Sequence, residues 1–150
     1  MIYCDTSFLL ALYVQRDFFN PQALKAAAKF TDPIPHTLLG ELELLNGVHR
    51  ILAARIVSRS ERDTILRQIS RDEAEGFFVR RPMNQAEHFA KARELSRRHT
   101  PTLSCRSLDI LHVAAALLAG ATGFASFDSK QRVLADAAGL GSIPGVVLSG

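Results

Sequence analysis

The sequence predicts an α/β fold, a three-layer α/β/α sandwich around a mainly parallel five-stranded sheet, as a single domain over residues 1–150. Three observations predict it. Short apolar runs alternate with helical patterns five times along the chain, with no linker or low-complexity segment between them. Apolar residues make up 47% of the 150, enough at this length to bury most of the surface that the unfolded chain exposes. Four acids, Asp5, Glu43, Asp109 and Asp128, stand where a strand-like run hands over to a helix, and the carboxyl ends of parallel strands share one edge.

The elements follow in order. Residues 1–5 (MIYCD) read as a buried strand, and 7–14 as a short helix that breaks near Arg16 and Asp17. Pro21 suits a helix first turn, with Asn20 as cap and 21–30 as the body. Residues 34–36 form a short strand, and Thr37 caps a helix to about Arg55. Ser60 caps a charged helix over 60–74; residues 77–81 form a strand ended by Pro82. Asn84 caps a helix to about His99 whose Ala86, Phe89, Ala90, Ala92 and Leu95 keep helical spacing. A loop over 100–106 returns the chain to the carboxyl edge, and Ser107 caps a very apolar helix to Leu118. Gly120 and Gly123 punctuate its end, 124–127 is a strand, 129–138 a helix closed by Gly139, and 143–148 the last strand.

Each acid also has an ordinary role. Asp128 with Gln131 forms a capping box, Asp109 lies in a helix first turn where the dipole favours a carboxylate, and Asp5 is placed to cap the helix after it. Glu43 is different, because Leu38, Leu42 and Leu45 surround it with apolar neighbours, and a carboxylate there requires a partner or an ion. Glu41 and Glu43, two apart, are separated by about 200° on a helix, so only one can face the site. Ser7 and Ser126 stand beside the acids as candidate orienting hydrogen-bond partners. His112, three residues after Asp109, reads as a hydrogen-bonded packing histidine rather than a ligand. Converging carboxylates call for a divalent metal, and their all-oxygen donors suit Mg²⁺ or Mn²⁺; the histidines and cysteines lack zinc-site spacing.

The formal charge is +3. With four acids neutralised by metal, the remaining surface carries about +7, which favours a polyanionic partner. Arg50, Arg55, Arg59, Arg62, Arg67 and Arg71, then Arg80, Arg81, Arg97, Arg98 and Arg106, supply guanidinium forks that match phosphate; the plainer reading is solvated helix faces paired with nearby acids. Only two tyrosines and no tryptophan are available for base stacking, so a polyanion with bases is read by shape as much as by base. Cys4 and Cys105 are read as free thiols. No signal-peptide pattern and no membrane-length apolar run is present, which places the protein in the cytoplasm and away from membranes.

Tyr3-Cys4-Asp5-Thr6-Ser7 resembles the first motif of PIN-domain nucleases, and Ser107-Leu108-Asp109-Ile110-Leu111-His112-Val113-Ala114 with Phe127-Asp128-Ser129-Lys130-Gln131 resembles their third and fourth. Within that superfamily the chain is most similar to VapC-type toxins of bacterial toxin–antitoxin pairs, from residue 1 to about Leu140. Thr37, Asn46 and Gly47 resemble the surroundings of the family's second motif and select Glu43 over Glu41. The resemblance implies a Mg²⁺- or Mn²⁺-dependent endoribonuclease, with Asp5, Glu43, Asp109 and Asp128 as metal ligands and catalytic acids. It also implies a cognate antitoxin protein, docked in a groove lined by residues such as Phe18, Phe19, Leu24, Ile51, Leu52, Ile56, Ile65 and Ile69, and a homodimer through another face. The alternative is a module of the same fold that binds RNA or protein without cutting.

Overall fold

The computed structural model describes residues 1–144. Its elements are β1 (Ile2–Cys4), α1 (Thr6–Tyr13), α2 (Asn20–Ala27), β2 (Ile34–His36), α3 (Leu38–Ala53), α4 (Arg59–Ala74), β3 (Phe78–Arg80), α5 (Gln85–Leu103), α6 (Ser107–Leu118), β4 (Gly123–Ala125), α7 (Ser129–Ala137) and β5 (Gly141–Ile143). The last strand therefore begins earlier than the expected 143, and the end of its expected range lies outside the described residues.

Every strand pairing is parallel, as expected. The five strands do not form one continuous ladder, however: β1, β4 and β5 pair with β4 in the middle, and β2 pairs with β3. Proline explains the interruption. Ile34 donates to Phe77 and His36 accepts from Arg81, so both turn their backbone groups toward β3. Pro35 between them turns toward β1, where it has no N–H to give.

Alternation along the strands divides the core into two layers. Tyr3 and Phe124 point to one face, their rings stacked 5.5 Å apart, and pack with Ile110, Val113, Ala114 and Leu134 from α6 and α7. Cys4 and Ala125 point to the other, against Phe8, Leu9, Leu44, Val48, Ile65 and Ile69 from α1, α3 and α4. The register sets Cys4 beside Ala125, so the residues that follow, Asp5 and Ser126, leave the same edge; Asp5 N–H donates to the Ala125 carbonyl at 3.0 Å. Gly123 allows this approach, since a Cβ there would lie 2.5 Å from Cδ1 of Ile2.

Asp5 caps α1 as expected, accepting from Phe8 N–H. Several other helix ends differ from the sequence reading. Asn20 is not a cap: it is the first residue of α2, and its buried amide donates to the Ala11 and Leu12 carbonyls, tying α2 to α1. Ser58 rather than Ser60 caps α4, through a reciprocal capping box with Glu61. The 100–106 loop shrinks, because α5 continues through Pro101 to Leu103, whose side chain packs on the second core layer. Ser104 then turns the chain in the left-handed region at φ 52°. Residue 106 occupies the cap position of α6 without a side-chain cap bond, in place of Ser107. Both cysteines are free. Among the described residues no helix is long and apolar enough to cross a membrane.

His36 ends β2 almost wholly buried, tilted on the Phe78 ring at 4.8 Å, with Nε2 unpartnered among the described residues. Burial holds its pKa below the ordinary value of 6.5, chiefly by desolvating the cation, against smaller opposing contributions from Glu41 and Glu73. The unfolded chain then binds the proton more readily than the fold, so this part of the stability is present above the unfolded pKa and is lost as pH falls through it. His36→Phe should flatten the dependence of urea-unfolding free energy on pH below about 6.5 relative to the parent; an unchanged slope would assign it to other groups.

Candidate active site

Asp5 is the most deeply placed of the four acids, 3% exposed. Its Oδ1 accepts from Phe8 N–H at 2.9 Å and from the Ser7 hydroxyl at 2.8 Å, and its Oδ2 from the Ser126 hydroxyl at 2.7 Å. The two serines are themselves held by the turn after β4: Phe127 N–H donates to Ser7 Oγ at 2.9 Å, and Asp128 N–H to Ser126 Oγ at 3.0 Å. Each hydroxyl thus passes a backbone dipole from one strand end to a carboxylate on the other. Burial pushes the Asp5 carboxyl up from its ordinary pKa, and the bonds from Ser126, Phe8 and Ser7 oppose that rise.

Glu43 lies on the opposite wall, in the second turn of α3. The neighbours expected to bury it do not: Leu38, Leu42 and Leu45 are 71%, 65% and 45% exposed. The buried face of α3 is Gly40, Leu44, Gly47 and Val48, a stripe with the same helical spacing as the exposed one. Glu43 Oε2 instead accepts from the Thr6 hydroxyl at 3.1 Å and from His112 Nε2. The His112 bond is the main cause holding its pKa below the usual carboxylate value, and partial burial opposes it. An ionised carboxylate only accepts, so Nε2 donates to it, while Nδ1 of the same ring lies 2.9 Å from the buried Tyr3 hydroxyl. Glu41 faces elsewhere, gripped by Arg80 through two bonds of 2.9 Å.

Asp109 and Asp128 meet through an arginine. Arg106 Nε lies 3.3 Å from Asp109 Oδ2, and its Nη2 3.3 Å from Asp128 Oδ2. Asp128 caps α7 with its other oxygen, which accepts from Lys130 and Gln131 N–H. The capping role and a role in the site therefore coexist on one side chain.

The four acids form one linked circuit. Asp5 joins Asp128 through Ser126, Asp128 joins Asp109 through Arg106, and Asp109 stands one turn from His112 on α6. His112 joins Glu43, and Glu43 returns to Thr6 beside Asp5. Among the described residues no three His, Cys, Asp or Glu side chains stand close enough, as arranged, to close on one ion. Thr6, Tyr3 and Arg106 were not singled out from the sequence as members of this site. The signal for two of the contacts was present, since Arg106, Asp109 and His112 recur at intervals of three and so share one face of α6.

The sequence profile of the PIN domain matches residues 2–137. No curated protein matches the chain significantly. Among solved structures the chain is similar to VapC20 of Mycobacterium tuberculosis, a toxin that cleaves the sarcin–ricin loop, at 18% identity and a TM-score of 0.67, covering 93% of this chain and 96% of that one. It is similar also to FitAcB from Neisseria gonorrhoeae, at 16% identity and a TM-score of 0.67, covering 91% of this chain and 94% of that one. At these identities the likeness is one of fold.

Ser126→Ala would take from the buried Asp5 Oδ2 its closest donor, leaving Ser7 alone there at 3.0 Å, and would leave the Asp128 N–H without its partner. It should cost about 1–3 kcal/mol of stability in urea unfolding, a loss that an ordinary exposed serine would not show.

Proposed function

The chain belongs to the PIN-domain family, and on that premise we propose that it is a Mg²⁺- or Mn²⁺-dependent endoribonuclease that hydrolyses RNA phosphodiester bonds as the toxin of a toxin–antitoxin pair. The observation that carries this reading is the linkage of Asp5, Glu43, Asp109 and Asp128 at the carboxyl edge of the sheet, where open α/β folds bind their ligands. The donor set fits a hard divalent ion. All four groups are carboxylates, Asp5 is removed from water with only neutral donors around it, and Asp109 and Asp128 already draw a guanidinium between them.

Asp5, Glu43, Asp109 and Asp128 are the residues that would hold the ion. When bound it supplies an acidified water and charge neutralisation at a scissile phosphate. The chain's own part is orientation: Ser7 and Ser126 aim Asp5, while Thr6 and the Tyr3–His112 pair aim Glu43. No serine, cysteine or histidine is required as a covalent nucleophile.

RNA is the substrate we favour, held by guanidinium groups. Arg62, Arg71 and Arg80 are paired with Asp63, Glu75 and Glu41. Arg50, Arg55, Arg59, Arg67, Arg97 and Arg98 form no ion pair among the described residues and are available to phosphates. Both tyrosines are buried, which leaves recognition to shape and backbone more than to tyrosine stacking.

For the antitoxin we assign the groove between the end of α1 and α4, a cavity of about 320 Å³ lined by Tyr13, Val14, Val57 and Ile65, with Arg16 and Glu61 paired at its rim. Of the other residues expected there, Phe18, Leu24 and Ile56 do not line the cavity but are exposed apolar side chains, at 85%, 52% and 49%. Ile65 and Ile69 form the buried stripe of α4, so Ile65 meets the groove only as its floor and Ile69 belongs to the core. The Leu38, Leu42 and Leu45 stripe on α3 is the face we assign to a homodimer.

Asp5→Asn, Glu43→Gln, Asp109→Asn and Asp128→Asn should each lower Mn²⁺-dependent cleavage of total cellular RNA by at least about 100-fold, since even outer-shell partners of metal ligands are worth roughly 10–100-fold. Glu41→Gln should stay near the parental rate. A parent protein that leaves RNA intact in Mg²⁺ and Mn²⁺ would end the nuclease reading and favour a binding module of the same fold.

Co-expression with the adjacent open reading frame should restore growth to cells arrested by the isolated chain, with light scattering reporting a larger assembly. A chain that is harmless, monomeric and indifferent to that neighbour would remove the toxin and dimer readings while leaving the nuclease reading standing.

A further inference from the structure

Arg106 is a cation placed against the local field. It occupies the cap position of α6, where the helix dipole favours an anion, and its side chain makes no cap bond. What holds it is the pair of carboxylates: one nitrogen reaches Asp109 and another reaches Asp128, both at 3.3 Å. Arg80 offers the contrast within the same chain, since its fork closes on the single carboxylate of Glu41 through two bonds of 2.9 Å. Arg106 is stretched between two acceptors at the long end of hydrogen-bond range, and its side chain is 71% exposed, so it can leave without repacking the core.

We propose that Arg106 is a built-in counter-ion of the acid cluster: it pairs Asp109 and Asp128 in the ion-free protein, competes with a divalent cation for those two carboxylates, and, once displaced, turns its guanidinium to the RNA phosphate. This rests on the reading of Asp109 and Asp128 as metal ligands. Two like charges brought to one site repel, and a guanidinium between them relieves that repulsion while the ion is absent. The same group, released at the rim, has the geometry to take a phosphate bidentately. Ion binding and substrate binding are then coupled, because the ion frees the arginine that the phosphate uses.

The test is titration of the full chain with Mn²⁺ alone, read by calorimetry and by thermal shift. Arg106→Gln should bind Mn²⁺ about three- to tenfold more tightly than the parent, the range expected on losing a competitor held by two exposed ion pairs. Arg106→Lys should fall between them, and Arg97→Gln, which removes an unpaired surface charge, should stay within about twofold of the parent. At saturating Mn²⁺, Arg106→Gln should cleave RNA at least tenfold more slowly. Unchanged or weaker Mn²⁺ affinity in Arg106→Gln, or a gain matched by Arg97→Gln, would overturn the counter-ion role; full cleavage at saturation would overturn the phosphate role. Asp109→Asn separates this from the reading beneath it. If Asp109→Asn loses Mn²⁺ while Arg106→Gln equals the parent, only the inference on Arg106 falls. If the parent takes up no Mn²⁺, or Asp109→Asn takes it up equally, the metal-site reading fails and the counter-ion role with it.

Discussion

A carboxylate removed from water must find donors nearby, and the burial of Asp5 organises the carboxyl edge of this sheet around that requirement. Its donors come from three directions: the first turn of α1, the Ser7 hydroxyl and the Ser126 hydroxyl at the end of β4. The serines can serve only because the backbone N–H groups of Phe127 and Asp128 fix their oxygens in turn. The parallel register of β1 and β4 makes this possible, since it brings residues 121 apart in sequence into one hydrogen-bonded knot. Shifting either strand by one residue would exchange Tyr3 for Cys4 on the core faces and would carry Asp5 off the edge.

α6 performs a comparable role for the rest of the site. One of its faces is consumed by packing, with Ile110, Val113, Ala114 and Ala116 buried in the second core layer. The other presents Arg106, Asp109 and His112 in successive turns: Arg106 pairs with Asp109 and reaches Asp128 at the cap of α7, and His112 reaches Glu43 on α3. The Tyr3 hydroxyl behind His112 completes the chain back to β1. The apolar face fixes the height and rotation of the helix, so core packing sets the position of groups that are themselves polar.

The two sides of α3 show how one periodicity serves two ends. Gly40, Leu44, Gly47 and Val48 face inward, and Gly47 lets α1 approach so closely that a Cβ there would sit 2.8 Å from Cδ1 of Leu10. Leu38, Leu42 and Leu45 face outward, and Glu43 and Glu41 fall between the two stripes on different flanks. A helix with two apolar stripes is suited to pack on its own domain and on something else.

The sequence by itself determined the alternation of strand and helix, the parallel sheet, the caps at Thr37, Asn84 and Asp128, and the family, because these depend on local propensity, on periodicity and on motifs only a few residues long. It also pointed to Asp5, Ser7 and Ser126, which the structure brings into contact. It misjudged which stripe of α3 is buried, since two leucine-containing stripes of equal spacing are indistinguishable until the helix has a sheet to lie on. It placed a loop where α5 runs on through Pro101, because a proline close to a helix end reads locally as a stop while the packing of Leu103 extends the helix beyond it. Only the tertiary structure decided that Pro35 interrupts the sheet on the β1 side, that His112 belongs to Glu43, and that Arg106 bridges Asp109 and Asp128. Each of these depends on which neighbour a side chain or a backbone group faces, and that direction exists only after the layers have packed.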